Sequence, residues 1–104
     1  MVPAAGGGAR MRADRPKQYL PLLGRPILLR TLERLGGYPP LRGMLVGIAS
    51  DDAYWSTLSG SIPKLLGTCP GGATRAATVL NGLRALAAHA APDDWVLVHD
   101  AARP

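Results

Sequence analysis

Hydrophobic and polar positions alternate in blocks that switch between helical and strand periodicity. Behind Pro26, Leu28, Leu32 and Leu35 recur at helical spacing, while Arg30, Glu33 and Arg34 fall on the other side. Proline suits the first position of a helix, where its missing N–H is no loss, and Gly36-Gly37 ends the element. Met44 to Ala49 is a continuous apolar run and predicts a buried strand. Ser50-Asp51-Asp52 is placed to cap a short helix through Trp55 and Leu58. Lys64 to Cys69 predicts a further, less apolar strand, which Gly71-Gly72 terminates. Thr74 to Ala90 predicts a long helix with Val79, Leu80, Leu83, Leu86, Ala87 and Ala90 on its apolar stripe. Arg75, Asn81, Arg84 and Ala88 fall away from that stripe. Pro92-Asp93-Asp94 breaks this helix, and Trp95 to Asp100 predicts a strand that ends in a polar pair, His99-Asp100.

The amino end has a different texture. After Pro3, Ala4-Ala5-Gly6-Gly7-Gly8-Ala9 reads as a loop, Arg10 to Tyr19 is polar and basic, and Leu20 to Leu23 is a short apolar piece closed by Gly24. Short apolar strands alternating with helices predict an α/β fold with a parallel sheet. In such sheets ligands bind beyond the carboxyl ends of the strands. That rule selects the loop after residue 3, if a strand precedes it, and the His99-Asp100 pair.

Composition narrows the choices. The 104 residues allow one domain, and a hydrophobic fraction of 47% with 18% charged residues is that of a folded chain. The net charge of +5 favours anionic partners. Arg10, Arg12, Arg15 and Lys17 form the densest basic group and lie beside the glycines. A single cysteine, Cys69, excludes an intramolecular disulfide and reads as a small buried hydrophobe. The first residues lack the order of a signal peptide, and no apolar run approaches the roughly 20 residues of a membrane span. A soluble cytoplasmic protein, with neither membrane nor nucleic acid as partner, is the expectation.

The glycines carry candidate chemistry. Gly6, Gly7 and Gly8 let backbone approach a ligand closely, and successive N–H groups in such a turn form an anion-binding concavity. Arg10 can fork two hydrogen bonds onto phosphate oxygens, and Lys17 adds a point charge. The loop is not a Walker A motif, since Lys17 stands between Pro16 and Gln18. It is not the dinucleotide fingerprint either, because Met11 occupies the place of the third glycine. By themselves, three glycines read first as a flexible connection, since glycine clusters are common in loops.

The longer strings are more specific. Pro3-Ala4-Ala5-Gly6-x-Gly8-x-Arg10-Met11 followed by Pro16-Lys17-Gln18-Tyr19 resembles the signature of nucleotidyltransferases that activate sugar or polyol phosphates. Gly71-Gly72-x-x-Arg75 before Val79-Leu80 resembles a second nucleotide-contacting turn, and Val96 to Pro104, with His99-Asp100-Ala101-Ala102-Arg103, a third element. Together they resemble the 2-C-methyl-D-erythritol 4-phosphate cytidylyltransferase family of the non-mevalonate isoprenoid pathway. That resemblance implies a Rossmann-like three-layer nucleotidyltransferase fold, of which residues 1–104 form the amino-terminal, nucleotide-binding part with its first strand nearly missing. It implies CTP and a polyol phosphate as substrates, Mg2+ or another divalent cation on the triphosphate, and a homodimer. Arg10 and Lys17 match the two catalytic cations. Ala4, Ala5, Gly6 and Gly8 match the turn that wraps the nucleotide. Gly72, Arg75 and Thr78 match contacts on the pyrimidine and ribose side. Asp100 matches the carboxylate near ribose and metal, with Ala101 and Arg103 on the same nucleotide-facing segment.

Two positions depart from the pattern: Ala73 replaces the usual acidic residue, and Thr78 replaces serine while keeping the hydroxyl. His99, His89, Trp55 and Trp95 read as structural. Ribitol-phosphate cytidylyltransferases share the loop but favour phenylalanine at the place of Tyr19 and Ser-Val at Ala101-Ala102. Pyrophosphorylases using UTP or GTP share only the first glycine element. Members of the family are about twice as long as this chain, and their first strand is central in the sheet. These points lead to the expectation that the 104-residue chain alone folds poorly and is an inactive fragment retaining part of the nucleotide site.

Overall fold

The computed structural model describes residues 1–6, 17–22, 24–58, 62–91 and 93–103, with Lys17 defined by its backbone alone. Strand β1 (Val2–Ala4) leads to a 3-10 turn at Lys17–Tyr19 and a two-rung antiparallel hairpin, β2 (Pro21–Leu22) with β3 (Arg25–Pro26). Gly24 sits in this hairpin at φ 85°, a left-handed conformation that costs glycine nothing. Helix α1 (Ile27–Gly36) follows, then β4 (Met44–Ile48), a 3-10 turn at Trp55–Thr57, β5 (Leu65–Pro70) and helix α2 (Arg75–Leu86). The main sheet has the order β1-β4-β5, with both pairings parallel.

The sheet lies between the two helices, and strand alternation explains why. Val2, Ala4, Met44 and Val46 join Leu28 and Leu32 of α1, with Tyr19 and Ala101, in one buried cluster. Met1, Leu45 and Cys69 join Leu86 of α2 in the other. Cys69 is therefore a buried free thiol, as its composition suggested, and burial raises its pKa.

The α2 stripe differs from the one the leucines suggested. Thr78, Gly82 and Leu86 are buried, whereas Leu80 and Leu83 are exposed. Close approach is the cause. A Cβ on Gly47 of β4 would lie 2.7 Å from the Thr78 methyl and 3.1 Å from Cε of Met1, and one on Gly82 would overlap the Met1 side chain. Small residues on both surfaces let helix and sheet touch, and leucines are turned outward. The helix also starts one residue later than expected. Thr74 is its cap, with Oγ1 accepting from the Ala77 N–H at 3.1 Å.

Two further expectations are corrected. Ala4 belongs to β1 rather than to the loop after residue 3, and the strand that precedes this loop spans three residues and pairs with β4 from Val2↔Val46 to Ala4↔Ile48. Trp95 to Asp100 is extended but forms no ladder. Met1 N donates to the Leu97 carbonyl at 2.8 Å, and His99 N donates to the Met1 carbonyl at 3.1 Å. This is a single parallel rung; at the next pairing position along that edge Pro3 has no N–H to donate. Trp95, expected to be a packing residue, is instead 97% exposed, and Leu97 is 64% exposed. The helix expected at Ser50–Leu58 is a 3-10 turn. Asp52 caps it, with Oδ1 accepting from the N–H groups of Tyr54 (2.7 Å) and Trp55 (2.9 Å).

Candidate functional site

Three segments distant in sequence converge at the carboxyl ends of β1 and β5. They enclose a cavity of about 380 Å³, large enough for a small-molecule ligand. The end of β1 supplies Ala4, Ala5 and Gly6; the turn after β5 and the start of α2 supply Gly72, Ala73, Thr74, Arg75 and Thr78; the last segment supplies Asp100 to Arg103. Thus Ala4, Ala5, Gly6, Gly72, Arg75, Thr78, Asp100, Ala101 and Arg103, all expected from the sequence, border one space. Gly8 and Arg10 lie outside the described residues. Lys17 opens the 3-10 turn that leads to Gln18, itself on the cavity wall.

Each segment is held by a specific contact. The turn after β5 is tied to α2 by Thr78. Its Oγ1 accepts from the Gly72 N–H at 2.9 Å and lies 3.1 Å from the Thr74 carbonyl, to which it can donate. The Thr78 hydroxyl therefore already shapes the glycine turn, and threonine serves this purpose as well as serine. A Cβ on Gly71 would overlap that of Ala5, and one on Gly72 would overlap that of Ala77. Glycine at 71 lets this turn meet the end of β1, and glycine at 72 lets it lie against the first turn of α2. The Gly71 N–H donates to the Ile48 carbonyl at 2.6 Å, anchoring this turn to the end of β4.

The last segment is anchored by Thr31 of α1. Its buried hydroxyl lies 2.8 Å from the Ala101 carbonyl and 3.1 Å from that of Ile27. Ala101 borders the cavity and is buried in the core cluster shared with α1, which fixes its backbone. Asp100 is bracketed by two guanidinium groups. Arg75 reaches Oδ1 at 3.0 Å and Arg103 reaches Oδ2 at 3.1 Å, all three side chains being partly solvated. His99 turns its ring toward the backbone, with Nδ1 2.9 Å from the Asp100 carbonyl, in keeping with a structural role.

Gln18 and Tyr19 are contributors that residue types alone did not reveal. The Gln18 amide donates to the carbonyls of Ala4 (2.8 Å) and Gly6 (3.0 Å). Tyr19 donates to Asp52 at 2.6 Å and packs against Tyr54, with ring centroids 5.1 Å apart. Their partners lie 12 to 33 residues away in sequence, beyond any local spacing rule.

The chemistry of this space suits a nucleotide. Backbone-lined glycine turns admit a flat base or a phosphate, and the guanidinium groups offer paired donors to anionic oxygens. As a metal site it is incomplete by itself. Among the described residues no group of three or more His, Cys, Asp or Glu side chains is arranged to hold an ion. Asp100 can supply one hard oxygen ligand, which fits a divalent cation whose other ligands come from a polyphosphate.

A parallel sheet with glycine turns and basic side chains at its carboxyl edge defines an α/β protein whose ligand site lies beyond the strand ends. Comparison with known proteins makes this specific. The family model of 2-C-methyl-D-erythritol 4-phosphate cytidylyltransferase (IspD) matches residues 1–104, and the chain belongs to this family. The enzyme of that name from Pseudomonas aeruginosa is 55% identical over 105 residues, covering 100% of this chain and 45% of that protein. The one from Xylella fastidiosa is 51% identical over 104 residues, again covering 100% and 45%. A crystal structure of 4-diphosphocytidyl-2C-methyl-D-erythritol synthase superposes with a TM-score of 0.81 at 31% identity, covering 98% of this chain and 45% of that one. The chain therefore spans just under half the length of the relatives it matches. Among the described residues no helix is long and apolar enough to cross a membrane.

Proposed function

We propose that these residues form the CTP-binding part of a cytidylyltransferase that moves CMP from CTP to 2-C-methyl-D-erythritol 4-phosphate. The observation that carries this is the convergence of the Ala4-Ala5-Gly6, Gly72-Arg75 and Asp100-Arg103 segments on one cavity. In the reaction a phosphate oxygen of the polyol attacks the α-phosphorus of CTP. The new P–O bond forms as the bond to the β-phosphate oxygen breaks, and pyrophosphate leaves. Such transfers depend on positioning and charge stabilisation rather than on a protein nucleophile. Arg10 and Lys17 carry the stabilising positive charge in this reading. Gly72 and Arg75 face the pyrimidine and ribose side, and Ala101 and Arg103 border the nucleotide. Asp100 would hold Mg2+ with the triphosphate, where the ion neutralises phosphate charge. The same reading carries a homodimer and a cytoplasmic location, with neither nucleic acid nor membrane as partner.

The test pairs binding with turnover. CTP should bind in preference to UTP by calorimetry, and CDP-methylerythritol and pyrophosphate should form together by phosphorus NMR. Lys17→Ala should lower turnover by about 10²–10³ with a smaller change in CTP affinity. Near-normal turnover in that variant would remove Lys17 from this role. A second reading is favoured by the 45% coverage of the relatives: the 104 residues bind CTP while turnover needs further residues. CTP binding without product is its signature.

A further inference from the structure

Ala4 is held by its pairing with Ile48, but Ala5 and Gly6 lie beyond the strand and border the cavity with hardly any side chain of their own to fix their backbone. The fixing group comes from elsewhere. Gln18 is 7% exposed, and its amide nitrogen donates one hydrogen to the Ala4 carbonyl at 2.8 Å and the other to the Gly6 carbonyl at 3.0 Å. Both donors are thus spent on two acceptors that flank Ala5. Because the peptide unit is planar and trans, holding the Ala4 carbonyl also fixes the direction of the Ala5 N–H. Gln18 is itself held. Its neighbour Tyr19 is buried at 2% exposure and bonded to Asp52, and the Leu20 carbonyl accepts from the Ile27 N–H at 2.9 Å at the start of α1. The clamp therefore connects the turn at the end of β1 to the anchored Lys17–Tyr19 segment.

We propose that Gln18 is a positioning residue for nucleotide binding, its carboxamide holding the Ala4–Gly6 turn in the receiving shape before the ligand arrives. This rests on the nucleotide reading of the cavity. A turn released from the clamp samples other shapes, and apparent affinity falls by the fraction of time it spends in the competent one. The effect belongs to the nucleotide, since the Gln18 side chain acts through backbone it holds.

The experiment compares the unaltered protein with Gln18→Met, which keeps the volume but loses both donors, and Gln18→Ala. CTP affinity is read by calorimetry, the local backbone by hydrogen exchange of the Ala4, Ala5 and Gly6 amides, and folding by urea denaturation. The expected result is an affinity for CTP reduced about 10–100-fold in Gln18→Met. Exchange at residues 4–6 should be faster, while exchange in β5 and α2 stays the same. Unchanged CTP affinity in a folded variant would overturn the proposal and leave the nucleotide reading intact. Absence of CTP binding by the unaltered protein would overturn the nucleotide reading and this proposal with it. Loss of cooperative unfolding in both variants would make Gln18 a core residue and likewise overturn it.

Discussion

At the scale of single residues, the Tyr19 hydroxyl is the buried polar group with the clearest energetic signature. It donates to Asp52, whose other oxygen accepts two backbone N–H groups. Burial raises the hydroxyl's pKa, and the hydrogen bond to Asp52 and that residue's negative charge raise it further. The folded state therefore keeps the phenolic proton more firmly than the unfolded chain does. The associated stability is complete below the ordinary tyrosine value of 10.0 and is lost as pH rises past it. Tyr19→Phe should cost about 1–2 kcal/mol near neutrality, and it should remove this part of the alkaline decline. Urea midpoints measured from about pH 8 to about pH 11 test both, since the two proteins should converge at the alkaline end. A gap that stays constant with pH would show that the hydroxyl does not titrate with folding. The string Pro16-Lys17-Gln18-Tyr19 was recognisable in the sequence, but the work of Gln18 and Tyr19 was not. Their partners, Ala4, Gly6 and Asp52, are brought to them by the fold alone.

At the scale of elements, α1, β4 and β5 stand close to where apolar periodicity put them, because each is packed through the large side chains that such patterns reveal. The face of α2 was not legible for the opposite reason. It packs through Thr78 and Gly82 against Gly47 and Met1, and small residues add little to a hydrophobic pattern however closely they pack. The final strand was misread because composition reports a preference for extended backbone, whereas a ladder also requires a neighbour with free donors and acceptors. Glycine turns were legible as turns, but their mutual contact was not. Gly71 packs against Ala5, and an added Cβ would also stand 3.1 Å from the Ile48 carbonyl. Gly71→Ala should therefore push the turn after β5 away from the end of β1. The expected cost is about 1–3 kcal/mol of stability, together with weaker CTP binding. Thermal melting and a CTP titration on the same sample would check it. A melt shift without any affinity change would separate the packing of the two turns from nucleotide binding.

At the scale of the whole molecule, the surplus charge of +5 has a geography. Several cations away from the cavity are engaged locally: Arg25 pairs with Glu33 at 2.7 Å, and Lys64 donates to the Tyr38 carbonyl at 2.7 Å. At the cavity, Arg75 and Arg103 share the single carboxylate of Asp100, leaving one net positive charge among the three. Arg10, Arg12, Arg15 and Lys17 lie in the sequence between the Gly6 turn and Gln18, opposed there by Asp14 alone. Most of the basic surplus thus falls on segments that border the cavity or that lie in the sequence between two such segments. This distribution gives a prediction that no single substitution tests. Raising ionic strength from about 0.1 M to about 1 M shortens the Debye length from about 10 Å to about 3 Å. The attraction of a polyanion to a partly solvated cluster of this kind should weaken accordingly. CTP affinity should fall by about tenfold or more over that range, while cytidine, which has the base and ribose without the phosphates, should bind with little salt dependence. Titrating both ligands at several salt concentrations separates phosphate attraction from base and ribose contacts. Equal slopes for CTP and cytidine would mean that the cations are a solvated surface, and that affinity resides in the backbone turns.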